Sequence, residues 1–103
     1  MIDKKKLIDE VDYYISHTRE KSGEHYAYKK AKELIERQPT VEAIPKQELR
    51  QLVDLLEDGV EKRKKEAYKA TDPLSIMVHV EVMKALERDI YWIKNFGGLN
   101  EKV

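Results

Sequence analysis

The sequence predicts an all-α protein: a small three- or four-helix bundle containing a long antiparallel helical hairpin. Three observations carry that expectation. Apolar residues recur every three or four positions along four segments, and no segment shows the strict alternation of a half-buried strand. Residues that start and stop helices stand at the joints, namely Ser22-Gly23, Pro39, Pro45 and Asp72-Pro73. The composition, 39% charged against 41% hydrophobic, suits helices that each need one apolar stripe.

The first helix is expected over 3–21. Its stripe is Leu7, Val11, Tyr14, Ile15 and Thr18, with Asp3 as N-cap and Ser22-Gly23 as its end. The second is expected over 24–37, with Tyr28, Ala31, Leu34 and Ile35 on one side, and it must stop before Pro39. Residues 38–44 form a linker that Val41 and Ile44 can pin onto the core. Pro45 is suited to the first turn of a long third helix over 45–70. The stripe of that helix runs Leu49, Leu52, Val53, Leu56, Val60 and Ala67. Gly59 sits mid-pattern, where it marks a kink or a close packing contact, because glycine costs about 1 kcal/mol against alanine in a helix interior. Asp72 reads as the N-cap and Pro73 as the first residue of a fourth helix over 73–96, closed by Gly97-Gly98. A turn of two or three residues between the last two helices makes them an antiparallel hairpin.

A chain of 103 residues is one domain's worth, so a single helical domain over 1–103 is expected, with a loose tail over 98–103. There is no cysteine, which removes disulfide scaffolds, cysteine-ligated zinc and thiol chemistry. No apolar run approaches the roughly 18–20 residues that span a bilayer. Lys4-Lys5-Lys6 is followed only by Leu7-Ile8 before acids return, unlike a secretory leader. The expected compartment is the cytoplasm, with no membrane partner.

The residues offer little to catalysis. Of His17, His25 and His79, only His17 has a carboxylate at helical spacing, Glu20, and one such pair does not hold a metal. Ser22 and Ser75 fit turn and capping chemistry. Gly97-Gly98 follows a helix rather than opening one, so it cradles no phosphate. No enzyme activity, cofactor or metal is expected.

Binding surfaces are the alternative. Asp54, Glu57, Asp58 and Glu61 fall on one face of the third helix, opposite its apolar stripe, as a solvated face or as a docking surface for a basic partner. Lys62, Arg63, Lys64, Lys65 and Lys69 follow as a basic cluster that suits nucleic-acid phosphates, although lysine plus arginine balance the acids at 20 each and duplex binders are normally basic overall. The charge order along this helix also suits antiparallel pairing with a second copy. On the fourth helix Ile76, Val80, Met83, Leu86, Ile90 and Ile93 offer more apolar surface than two short partner helices can cover, which predicts self-association, with a homodimer favoured. Six tyrosines against one phenylalanine fit either interfaces or the edge of a small core.

Residues 31–45 read Ala-Lys-Glu-Leu-Ile-Glu-Arg-Gln-Pro-Thr-Val-Glu-Ala-Ile-Pro. This stretch resembles a helix followed by Gln/Ala-Pro-Thr-Val-Asp/Glu-Ala-Ile/Val in small uncharacterised phage and prophage proteins of Gram-positive bacteria. In many of those a cysteine-bearing zinc ribbon follows; this chain has no cysteine, so that part does not carry over. The resemblance implies an origin in a mobile element and a viral protein that acts by binding a host protein. The expected function is therefore a non-enzymatic protein binder, a modulator or inhibitor of a host protein such as an antiviral-defence nuclease, in the manner of an anti-CRISPR protein. The alternative expectation is a nucleic-acid-binding accessory or regulator that uses the basic end of the third helix.

Overall fold

Four helices follow one another, α1 Lys4–Ser16, α2 Gly23–Glu36, α3 Lys46–Lys69 and α4 Pro73–Phe96, in a computed structural model that describes residues 3–18, 20 and 22–96. No strand occurs among the described residues. The helices form a small all-α bundle in which each packs against the next in sequence, and α3 and α4 form the expected antiparallel hairpin. The tail expected beyond Gly97 lies outside the described residues.

The first helix is shorter than its periodicity predicts. Asp3 caps it, its side chain accepting from the Lys5 amide. At the other end the side chains take over the carbonyls. The Ser16 hydroxyl donates to the Tyr13 carbonyl and the Thr18 hydroxyl to the Ile15 carbonyl, each at 2.7 Å. His17 Nδ1 lies 2.9 Å from the same Tyr13 oxygen. Local bonds of this kind compete with helical ones, and α1 ends at Ser16. Ser22-Gly23 does not close α1 as expected but opens α2. Ser22 is the N-cap, accepting from the His25 amide at 3.0 Å, and Gly23 is the first helical residue.

The linker behaves as its apolar residues predict. Val41 and Ile44 are buried, and short turns from Thr40 and Val41 to Ala43 and Ile44 fold it back on itself. Pro45 stands at the N-cap position in an extended conformation, one residue before α3. Asp72 caps α4, its carboxylate accepting from the Ser75 amide at 3.1 Å and the Ser75 hydroxyl at 3.2 Å.

The core is filled from one stripe of each helix, with Tyr14 and Tyr28 the largest fully buried side chains. The fourth helix corrects the expectation. Val82, Leu86 and Ile93 are fully buried and Ile90 nearly so, so Leu86 and Ile93 are spent inside the bundle and are not free for self-association, and Ile90 keeps only an edge at the surface. The reason is helix length. α1 and α2 have 13 and 14 residues, whereas α3 and α4 have 24 each. At about 1.5 Å rise per residue, the short pair covers little more than half of the hairpin. Residues 73–78 are exposed throughout, and with the last turn of α3 they project as a tip.

Candidate binding surface on the helical hairpin

A buried ion pair marks the base of the tip. Arg63 is 3% exposed and Glu24 7%. The guanidinium donates to one carboxylate oxygen of Glu24 from Nε at 3.1 Å and Nη2 at 2.7 Å. The Tyr28 hydroxyl donates to that same oxygen at 2.6 Å. Nη2 also donates to the His17 carbonyl at 3.0 Å, and Nη1 lies 3.0 Å from His79 Nδ1. Because guanidinium nitrogens only donate, His79 Nδ1 accepts there, which puts the ring proton on Nε2. One side chain thus ties the α1–α2 loop, α2 and α4 to α3. Burial, reinforced by the bond to Glu24, pushes the Tyr28 hydroxyl well above the usual phenol range.

This knot corrects the basic cluster. Arg63 faces inward and is unavailable to phosphates. Lys62 is held by Asp58 at 2.5 Å. Only Lys64, Lys65 and Lys69 remain as exposed cations of the set.

Beyond Arg63 the hairpin exposes large apolar side chains among its charged ones. Tyr68 is 89% exposed, Leu74 69% and Met77 57%, with Ile76 and Val78 close to two-fifths exposed. Large exposed apolar side chains gathered on one short segment are candidates for an interaction site.

Along the outer side of α3 and α4 lies a groove made of two adjoining depressions, of about 430 and 480 Å³. Its apolar floor includes Ala67, Val80, Met83, Val60 and Ile90, with Tyr68 and Tyr91 at the edges. Lys64 and Glu87 line both depressions from opposite helices. At the lower end Glu57 and Lys94 face each other at 3.8 Å. Of the predicted self-association stripe, Ile76, Val80 and Met83 remain outside the core, and Val80 and Met83 line the upper depression.

The acidic residues Asp54, Glu57, Asp58 and Glu61 are all exposed, as their spacing predicts. They do not act as one anionic stripe, because Glu57 turns to Lys94 and Asp58 to Lys62.

A second polar cluster joins α1 to α4. The Tyr14 hydroxyl donates to Asp89, and Arg88 bonds Glu10 at 2.7 Å. Burial pushes the Asp89 carboxyl up to about 7; Glu10 beside it adds to the rise, while the Tyr14 bond and Arg88 oppose it. Beside this cluster a cleft of about 350 Å³ includes Lys6, Glu10, Arg88, Asp89 and the half-exposed Trp92.

Position in the core register was the signal that sequence reasoning missed for both clusters. Arg63 follows Leu56 and Val60 at the spacing of the α3 stripe, and Asp89 stands between Leu86 and Ile93 at that of α4. Of the tyrosines, Tyr14 and Tyr28 are core residues with their hydroxyls on buried acids, and Tyr13, Tyr26, Tyr68 and Tyr91 are exposed.

Among the described residues no group of three His, Asp or Glu side chains is placed to hold a metal, and no helix is long and apolar enough to cross a membrane. Within residues 31–45, Ala31, Leu34, Ile35, Val41 and Ile44 are buried, so these apolar residues serve packing. Comparison of the chain with protein families, curated proteins and solved structures finds no match.

Proposed function

We propose that this chain is a non-catalytic docking protein that engages another protein through the projecting tip of the α3–α4 hairpin. The observation that carries this reading is the exposure of Tyr68, Leu74, Met77 and Val78 on a tip that the two short helices do not reach. Large apolar and aromatic side chains at the centre of an interface supply most of its binding energy. Here a rigid hairpin, fixed at its base by the Arg63–Glu24 pair, presents them with little ordering cost.

The resemblance of residues 31–45 to phage and prophage proteins supports one setting for this activity: a mobile-element product that occupies a host protein in the host cytoplasm, such as a nuclease of antiviral defence. The polar rim for such a contact is Lys64, Lys65 and Lys69 rather than the partly neutralised acidic face. Nucleic acid is the less favoured partner, since the basic cluster has lost Arg63 to the interior and Lys62 to Asp58.

Photo-crosslinking in cells tests the reading. A crosslinker at Leu74 or Met77 is expected to give a discrete heterologous adduct, and one at Asp54 none. Adducts at Asp54 and none at the tip would transfer the function to the acidic face.

A further inference from the structure

We propose that the outer α3–α4 groove is a self-complementary interface that seats the same groove of a second copy, about a two-fold axis running along the hairpin. This goes beyond the docking tip: the groove shares Tyr68 and Lys64 with it, whereas Leu74, Met77 and Val78 do not line the groove.

The argument is charge placement over an apolar floor. Glu57 on α3 confronts Lys94 on α4 at the lower end. Higher up, Lys64 on α3 and Glu87 on α4 share both depressions, so the order of signs is reversed. Glu61 also lines the lower depression and Lys84 the upper, so from the lower end upward the α3 side runs acid, acid, base (Glu57, Glu61, Lys64) and the α4 side base, acid, base (Lys94, Glu87, Lys84). A two-fold axis along the groove lays α3 of one copy over α4 of the other at the same level. Glu57 then meets the second copy's Lys94, and Lys64 meets its Glu87. Val80, Met83 and Ala67 of each upper depression close on their counterparts. Neighbouring helices across the interface run antiparallel, as in a four-helix bundle.

The other face-to-face arrangement, with the axis across the hairpin, fails at its centre. Full overlap of the grooves would set Lys64 on Lys64 and Glu87 on Glu87. It would also lay the apolar upper depression on the charged Glu57–Lys94 end. Like charges in contact across an interface select against that pairing. The antiparallel pairing of α3 with itself, which the charge order alone suggests, is therefore replaced by antiparallel pairing of α3 with the second copy's α4. The chain's zero net charge, 20 basic against 20 acidic residues, leaves no overall repulsion between copies.

Isologous geometry makes a sharp test, because each contact occurs twice with its partners exchanged. The probe is sedimentation equilibrium of the intact chain with Lys64→Glu and Glu87→Lys. Wild type is expected to dimerise. Each variant alone should dimerise at least about tenfold more weakly, since it sets like charges together at both contacts. An equimolar mixture should regain dimer, because Lys64→Glu then faces Glu87→Lys in one contact and native Lys64 faces native Glu87 in the other. Only contacts between copies can give that rescue, as within each chain the two positions stay alike in sign. A monomeric wild type, variants that dimerise as well as wild type, or a mixture without rescue would each overturn the proposal. As a check without charge changes, a spin label on Lys69→Cys, unique in a chain without cysteine, should report a short distance between copies, with tips side by side. A long distance would overturn the parallel axis. Leu74→Ser with Met77→Ser should leave dimerisation intact, which separates this interface from the docking tip.

Discussion

The ring of Tyr28 lies where a side chain at position 59 would have to stand. A Cβ on Gly59 would come within 2.5 Å of Tyr28 Cε1 and 2.6 Å of its hydroxyl oxygen. Gly59 is therefore a packing requirement of the α2–α3 contact. The close approach lets the Tyr28 hydroxyl reach Glu24, the carboxylate that also holds Arg63.

Gly59→Ala should consequently invert the usual helix rule. In an open helix this change gains about 1 kcal/mol. Here overpacking costs about 1–3 kcal/mol, and a displaced Tyr28 leaves a buried acceptor short of one bond, worth about 1–3 kcal/mol more. Chemical denaturation should show a net loss of about 1–5 kcal/mol. A gain in stability would mean that the ring moves aside freely. Gly23→Ala is the contrasting case: the atoms a new Cβ would meet belong to the end of the Lys62 side chain, which can swing away.

Arg63→Met should be the most damaging change in the basic run. It leaves Glu24 buried and without its cation, a situation that typically costs about 3–5 kcal/mol. Lys64→Met and Lys65→Met on the exposed surface should stay within about 0.5 kcal/mol of wild type. Thermal melts of the three variants check this. If Glu24→Gln is added to Arg63→Met, part of the loss should return, because no unpaired buried charge remains. Equal melting of all three single variants would place Arg63 in solvent.

Helix number, the hairpin and its joints were legible because they follow local rules: Asp72-Pro73 caps and starts α4, and Val41 and Ile44 pin the linker. The buried charges were harder to read because their partners are remote in sequence. Glu24 lies 39 residues from Arg63 and Tyr14 lies 75 from Asp89. Arg63 also sits within six consecutive charges, 61–66, where composition suggests solvent and only register points inward. The tip was illegible for another reason. Its exposure depends on α1 stopping at Ser16, short of its apolar period, where the hydroxyls of Ser16 and Thr18 bond the Tyr13 and Ile15 carbonyls. The fourth-helix stripe is one periodic surface in the sequence, whereas in the fold Leu86 and Ile93 are buried and Ile76 is open.

Asp89 should give stability an identifiable pH dependence. Burial raises its carboxyl from the ordinary 3.8 to about 7 in the folded chain. Below about pH 4 both folded and unfolded states hold the proton, and the group is neutral in its effect on stability. Between about 4 and 7 the unfolded state has released the proton while the folded state keeps it, so stability falls as pH rises. Asp89→Asn can still accept from Tyr14 and cannot ionise. Its stability relative to wild type should therefore improve from pH 4 to above 7, by an amount on the order of a few kcal/mol. Denaturation curves at several pH values measure the difference, and a gap constant with pH would show that Asp89 titrates normally.

Duplex binding should be weak and shallow in salt. With Arg63 internal and Lys62 on Asp58, the cluster offers Lys64, Lys65 and Lys69. Three phosphate contacts would give a slope of log affinity against log salt of only about −3. Fluorescence anisotropy with a labelled duplex should show no binding at physiological salt. A steep slope that Lys64→Ala, Lys65→Ala and Lys69→Ala abolish would restore nucleic acid as the partner.

The tip separates folding from docking. Leu74 and Met77 are exposed on a segment that no other helix covers, so converting both to serine removes little buried area and should shift stability by at most about 0.5 kcal/mol per site. An interface centred on them would lose its apolar anchors, where single truncations commonly cost about 2 kcal/mol or more of binding energy. The double variant should therefore melt like wild type and lose its crosslinked adduct in cells. Reversal of Asp54, Glu57, Asp58 and Glu61 should also leave the fold intact, since the exposed pairs Glu57–Lys94 and Asp58–Lys62 contribute about 0–1 kcal/mol each. The two variants differ in what they do to the partner. Loss of the adduct only on reversal of the acids would place docking on the α3 face, and loss only in the tip variant assigns it to the hairpin end.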